Sequence, residues 1–160
     1  MIRTTTLAIA ALSLAAAAQA GTYNFTGSFD TAPGTTVLSG SFSFDDAAVA
    51  EGGFDGAFDL SALSFSFQGQ TYTLAEAIDP YVQFEGGELT GPNALFTTPG
   101  GGELALQSFF GSSSFTYHLD GVSPDQLGTL TISAVPEPES WALLLGGLGA
   151  VGLLARRRKA

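Results

Sequence analysis

The chain has 160 residues, 45% of them hydrophobic and 12% charged, with 15 Asp and Glu against 5 Lys and Arg and a formal net charge of −10 at pH 7. All the basic residues sit at Arg3, Arg156, Arg157, Arg158 and Lys159, so the stretch between them repels phosphate backbones and nucleic acid is excluded as a partner. There is no cysteine, which rules out disulfides, thiol chemistry and Cys-ligated zinc and leaves the fold to rest on its core.

In chain order, the first feature is a secretory leader. Arg3 precedes an Ala- and Leu-rich run, and Ala18-Gln19-Ala20 has the small-x-small form that signal peptidase cuts, so residues 1–20 are expected to leave as a signal peptide. An uncleaved anchor is the alternative. The body, residues 21–134, is long enough for one domain with its own core. It holds all 13 Phe, and its aromatic residues alternate with Ser and Thr in Phe42-Ser43-Phe44, Leu63-Ser64-Phe65-Ser66-Phe67 and Phe115-Thr116-Tyr117-His118-Leu119. A period of two places the aromatics on a buried face and the hydroxyls on the other. Strands are predicted over 22–29, 36–44, 61–67, 70–75, 81–85, 94–98, 103–109, 113–119 and 127–134, divided by Gly, Pro, Asp and Asn. Gln68-Gly69 reads as a tight hairpin turn. The likeness of Gly27-Ser28-Phe29 to Gly40-Ser41-Phe42 reads as two strands of one hairpin. Residues 45–59 read as a long loop with at most a helical turn. The expected fold class is all-β, a single antiparallel sandwich of jelly-roll type.

Three constellations in the body bear on chemistry. Asp45, Asp46, Glu51, Asp55 and Asp59 concentrate oxygen ligands in a Gly-containing segment, which suits calcium, although the spacing fits neither an EF-hand nor a calcium β-helix repeat. A solvated acidic loop is the alternative. Glu85 and Glu88 flank Gly86-Gly87, a carboxylate pair of the kind a glycosidase uses, but so many acids on a small domain also produce such pairs by chance. His118 is the one histidine, and its strand parity places it opposite the aromatic face; no Gly-x-Ser-x-Gly elbow accompanies it. Gly100-Gly101-Gly102 lacks the Lys of a phosphate loop and reads as a turn. No catalytic residue is assigned, the body is expected not to be an enzyme, and calcium is the sole candidate cofactor. Tyr23, Tyr72, Tyr81 and Tyr117 are the aromatic surfaces open to a sugar, since Trp141 lies beyond the body.

The last segment, 135–160, is built in three parts. Val135-Pro136-Glu137-Pro138-Glu139-Ser140 is extended by its prolines, and Ser140 is placed to cap a helix that starts at Trp141. An unbroken apolar run over 141–155 is expected to form a transmembrane helix, short against the ~20 residues that span a bilayer core. Snorkelling of Arg156, Arg157, Arg158 and Lys159 makes up the difference, and these cations favour the cytoplasmic side, leaving the body outside. Taken without a family, this is a single-pass anchor with a Pro-Glu-Pro linker.

The combination of tripeptide, apolar helix and basic stop behind a cleavable leader resembles the PEP-CTERM family of exported bacterial proteins. The resemblance implies recognition by an exosortase near Pro136, Glu137 and Pro138, in a Gram-negative bacterium that makes exopolysaccharide and biofilm. It implies signal peptidase and exosortase as partners. It also implies a single-pass stage in the inner membrane and then the cell surface or the medium. The expected function is that of an exported, non-catalytic surface or matrix protein associated with exopolysaccharide. A glycan-binding module, and after it a glycoside hydrolase-like enzyme, are the alternatives.

Overall fold

The structure is a computed structural model and describes residues 20–135. The predicted leader up to Gln19, the tripeptide, the apolar segment and the basic stop lie outside the described residues.

Nine strands and one short helix succeed one another: β1 (Ala20–Phe29), β2 (Leu38–Asp45), α1 (Asp46–Glu51), β3 (Gly56–Phe67), β4 (Gln70–Thr73), β5 (Ile78–Glu85), β6 (Glu88–Thr97), β7 (Glu103–Phe109), β8 (Ser112–Leu119) and β9 (Val122–Ala134). A 3-10 turn, Leu74–Glu76, joins β4 to β5. The segment read as a loop over 45–59 instead carries α1 and the first residues of β3. Asp45 caps α1 by accepting from the Ala47 N–H at 2.9 Å, and Val49 anchors it in the core.

Every pairing is antiparallel, each strand pairs with its successor except that β5 returns to β3, and β9 closes on β1. The expected sandwich is therefore corrected to an up-and-down barrel of eight strands. β4 is a ninth strand on the edge of β3, beside Ser64–Phe67, whereas β5 takes Gly56–Asp59 of that same edge. Closure removes the exposed edges that a two-sheet sandwich would leave, save along the short β4, which pairs with β3 alone.

The wall can curl around aromatic side chains because glycine faces them. Gly40 lies between Phe25 and Phe65 in register, and Gly128 lies between Phe29 and Phe115. A Cβ on Gly40 would run into Phe65 Cβ and the Ser64 carbonyl, and one on Gly128 would enter the Phe115 ring. Alternating large and absent side chains fit eight strands around a filled interior, a pattern that flat facing sheets do not require. Phe25, Phe42, Phe44, Phe65, Phe67, Phe96 and Phe115 are each no more than 2% exposed, while Ser64 and Ser66 point to solvent. Phe65 stands within 5.0–5.8 Å, centroid to centroid, of Phe25, Tyr72 and Phe96.

Two-residue turns set the register at several hairpins. Gln68 and Gly69 have φ of 50° and 79°, and Gly86 and Gly87 have 59° and 91°, the left-handed pairs that match strand twist. Antiparallel succession sends α1 and the turns at 86–87 and 110–111 to one end of the barrel. The first and last described residues lie there too, where the Val135 N–H donates to Thr22 O at 3.0 Å. The connections at 30–37, 68–69, 98–102 and 120–121 lie at the opposite end.

Candidate functional site

The acidic residues near the first end are distributed among separate structural roles. Asp45 caps α1, Asp46 stands in its first turn, and Glu51 is exposed at its last. Asp55 Oδ1 accepts from the Gly86 N–H at 3.3 Å, tying the segment before β3 to the β5–β6 turn. Asp59 is on the outer wall of β3, opposite Tyr81 in register. Among the described residues no group of three or more His, Asp or Glu is placed to hold a metal ion. The Tyr23 phenol, inside the barrel above Asp46, has its pKa raised by burial first and by the Asp46 charge second.

Glu85 and Glu88 do face each other across the Gly86-Gly87 turn. Glu85, however, is spent on the backbone: Oε1 accepts from the Phe110 N–H at 3.0 Å and Oε2 from the Gly111 N–H at 2.8 Å. Both of its oxygens hold the β7–β8 turn, in which Phe110 has a φ of 51°. That geometry fits a clamp and gives no free acid beside a base.

His118 lies on the outer side of β8, between two carboxylates. Its Nδ1 is 2.7 Å from Asp125 Oδ1 and its Nε2 is 3.7 Å from Asp120 Oδ1. The hydrogen bond to Asp125, with the charges of Asp125, Asp120 and Glu103, raises its pKa above the ordinary 6.5. Carboxylates on both ring nitrogens make it an ion-pair partner.

Elsewhere, a cavity and a groove are each lined by a residue with a buried polar atom that lacks a partner. Asn93 Nδ2 and Thr98 Oγ1 are the buried side-chain atoms lacking hydrogen bonds among the described residues. Thr98 belongs to a cavity of about 210 Å³ at the end of the barrel opposite the chain termini, with Tyr72, Tyr117, Gln68 and Gln70 on its walls. The Tyr72 phenol there has a raised pKa, through burial first and then through the nearness of Tyr117 and Glu76. Asn93 belongs to an open groove of about 330 Å³ on the outer wall over β5, β6 and β7.

That groove was not legible as a site in the sequence. The β6–β7 ladder ends at the Ala94–Leu106 pair, and beyond it Asn93 Oδ1 accepts from the Ser108 N–H at 2.8 Å, standing in for a strand carbonyl. Asn93 is thereby held on the outer wall yet only 4% exposed. Two rows of side chains cross the groove. Tyr81 and Asn93 are register partners in the polar row, and Ile78, Leu95 and Ala105 are partners in the apolar row. Ile78 and Phe109 are each 53% exposed at its rims. A break in register between Ile78 and Tyr81, with Asp79 at a φ of 51°, bends β5 at the groove. The signal that was available is Pro92-Asn93 inside a strand, two residues a central strand rarely tolerates.

The sorting residues Pro136, Glu137 and Pro138 and the basic stop come after β9 and lie outside the described residues, as does Ala18 of the leader. Ala20 is the first residue of β1, so a cut after it would remove one register pair, that with Asp45. Among the described residues no helix is long and apolar enough to cross a membrane. Compared with known families, residues 134–159 match the PEP-CTERM protein-sorting motif. No curated protein and no solved structure matches the chain. The chain is accordingly a PEP-CTERM domain-containing protein, and the motif implies an exported protein processed by an exosortase.

Proposed function

We propose that the barrel is a non-catalytic body that the sorting tail delivers to the surface of a Gram-negative cell, where it is retained in the exopolysaccharide. The observation that carries this reading is the sorting motif at 134–159, joined without a spacer to β9. The chemistry of the body supports it. Glu85 is committed to backbone donors and His118 to carboxylates, and the described wall has no Lys or Arg to hold an anionic substrate.

The test is fractionation and intact mass in the native host. The mature chain is expected to begin at Gly21, to end near Pro138 and to sediment with the extracellular polysaccharide. Deleting the exosortase should leave the tail attached and the protein in the inner membrane. A soluble extracellular form that retains Trp141 overturns the sorting part of the reading. Equal release from strains with and without exopolysaccharide overturns the matrix part.

A further inference from the structure

We infer that the outer-wall groove over β5, β6 and β7 is a binding site for a short segment of neutral polysaccharide, with Asn93, Gln107 and Tyr81 reading its hydroxyls and Phe109 carrying a ring face. This rests on the matrix-associated reading for its biological sense, while its chemistry stands on the groove itself.

A hexopyranose is amphipathic in a particular way. One face presents aliphatic C–H groups, and its edge presents hydroxyls that each donate and accept. The groove has the same division, an apolar row of Ile78, Leu95 and Ala105 beside a polar row of Tyr81 and Asn93. Gln107 and Asp79 also line it, so amide donors, amide acceptors and a carboxylate acceptor are all present within one site. Phe109, more than half exposed at the rim, supplies an aromatic face that the fold does not use.

The second observation is the unpartnered donor. Asn93 is 96% buried by its 4% exposure, its Oδ1 is engaged by the Ser108 N–H, and its Nδ2 has no partner. A buried donor left unmatched costs about 1–3 kcal/mol. Nδ2 has less than 1 Å² of accessible surface, so a ligand hydroxyl meets it only when the side chains covering it shift aside, and the hydrogen bond then gained is one that the free protein lacks.

Charge and size select the ligand. No Lys or Arg is present among the described residues, and Asp79 lies in the groove, so uronate or phosphate-bearing chains are repelled. A volume of about 330 Å³ is at the small end of ligand sites and accommodates one or two sugar units.

The experiment is calorimetric titration of the full chain, held in a detergent without a sugar head group, against neutral gluco-, manno- and galacto-oligosaccharides and against a uronic acid oligomer. Binding of at least one neutral oligosaccharide is expected, insensitive to salt, with the uronic acid oligomer silent. Phe109→Ala and Gln107→Ala, both at exposed positions, should each weaken it about tenfold. Asn93→Asp keeps the acceptor for Ser108 and replaces the unpartnered donor, and should weaken it at least as much. His118→Gln, remote from the groove, should leave affinity unchanged. Absence of binding to every neutral oligosaccharide at millimolar concentration overturns the inference, as does preference for the uronic acid oligomer. So does undiminished binding in Phe109→Ala and Gln107→Ala. Dissolution of a dimer by Phe109→Ala, without any sugar effect, would assign the groove to a second copy instead. Oligosaccharide binding by a protein that is released from the matrix in the host would uphold the groove and remove the matrix reading alone.

Discussion

Truncating Phe65 tests the barrel interior at a ring that packs against three others. The ring is 2% exposed and meets Phe25, Tyr72 and Phe96 at centroid distances of 5.8, 5.2 and 5.0 Å. Phe→Ala in a core costs about 3–5 kcal/mol from lost transfer and the cavity left behind. Three aromatic partners, each worth about 0.5–1.5 kcal/mol beyond area, place this position in the upper half of that range. Collapse around the hole is opposed by the closed wall, because strands on both sides are pinned by their own neighbours. We expect Phe65→Ala to lose about 4–5 kcal/mol, a large share of the ~5–15 kcal/mol typical of a domain. Ser64→Ala, on the outer wall of the same strand, should stay within about 0.5 kcal/mol. Residues 21–135 contain both members of all but the first register pair, so urea unfolding of that segment followed by far-ultraviolet circular dichroism is the assay. With a urea slope of about 2 kcal/mol per molar, the Phe65→Ala midpoint should fall by roughly 2 M. A loss below about 1.5 kcal/mol, or an equal loss in Ser64→Ala, would show that the strand faces the other way.

Gly40→Ala should cost about 3 kcal/mol or more, because the added methyl meets Phe65 Cα at 2.5 Å and its neighbours, which no rotamer can move; Phe65→Ala should fail to rescue it in a double-mutant cycle. Glu85→Ala strips the acceptors from the Phe110 and Gly111 N–H groups and is expected to cost about 1–2 kcal/mol, with Glu85→Gln, which keeps one oxygen, costing less in the same unfolding assay. The raised pKa of His118 means that its contribution is fully present below pH 6.5 and is lost as pH rises through the higher folded-state value, so melts should show stability falling as pH rises above 6.5, and Asp125→Asn should both lower the pKa by NMR and flatten that dependence. Added salt at pH 8 should raise the melting temperature by screening the repulsion among acids, and calcium and magnesium at matched ionic strength should act alike; a gain specific to calcium would reveal a site that the spread of Asp45, Asp46, Glu51, Asp55 and Asp59 does not form.

The strands were legible because each is a local statement. Leu63 to Phe67 alternates in sequence and alternates in burial, and the Gln68-Gly69 turn needs only its own dihedrals. Closure was not legible, since the pairing of β9 with β1 joins residues about a hundred positions apart and no local pattern records it. Gly40 and Gly128 were visible as glycines, but their meaning depends on which phenylalanine faces them across the ladder. The extent of β3 was missed for a related reason. Gly56 to Asp59 lies at the end of a Gly- and acid-rich segment that shows no alternation of its own, and it is held in place by β5. Glu85 and Glu88 were rightly seen as neighbours, while the use of Glu85 on Phe110 and Gly111 required the β7–β8 hairpin to be brought beside the β5–β6 hairpin.

The strand pairings of the barrel are complete before the sorting tripeptide, and this bears on how a cutting enzyme can act beside a folded domain. The last bond that ties the described chain to the wall is that from Val135 N–H to Thr22 O, immediately before Pro136. Proline has no N–H to continue the ladder, so the strand ends where the sorting motif begins. Every strand pairing among the described residues lies N-terminal to that point, and β9 already has both of its partners, β1 and β8. Removal of the residues after the tripeptide therefore breaks no strand pair among the described residues. Proteolysis near Pro138 should leave the unfolding midpoint of the body unchanged, whereas a cut moved into 129–134 would strip the partners of β1 and open the ring. If truncation at residue 138 destabilised the body as much as truncation at residue 130, closure of the barrel by β9 would be wrong.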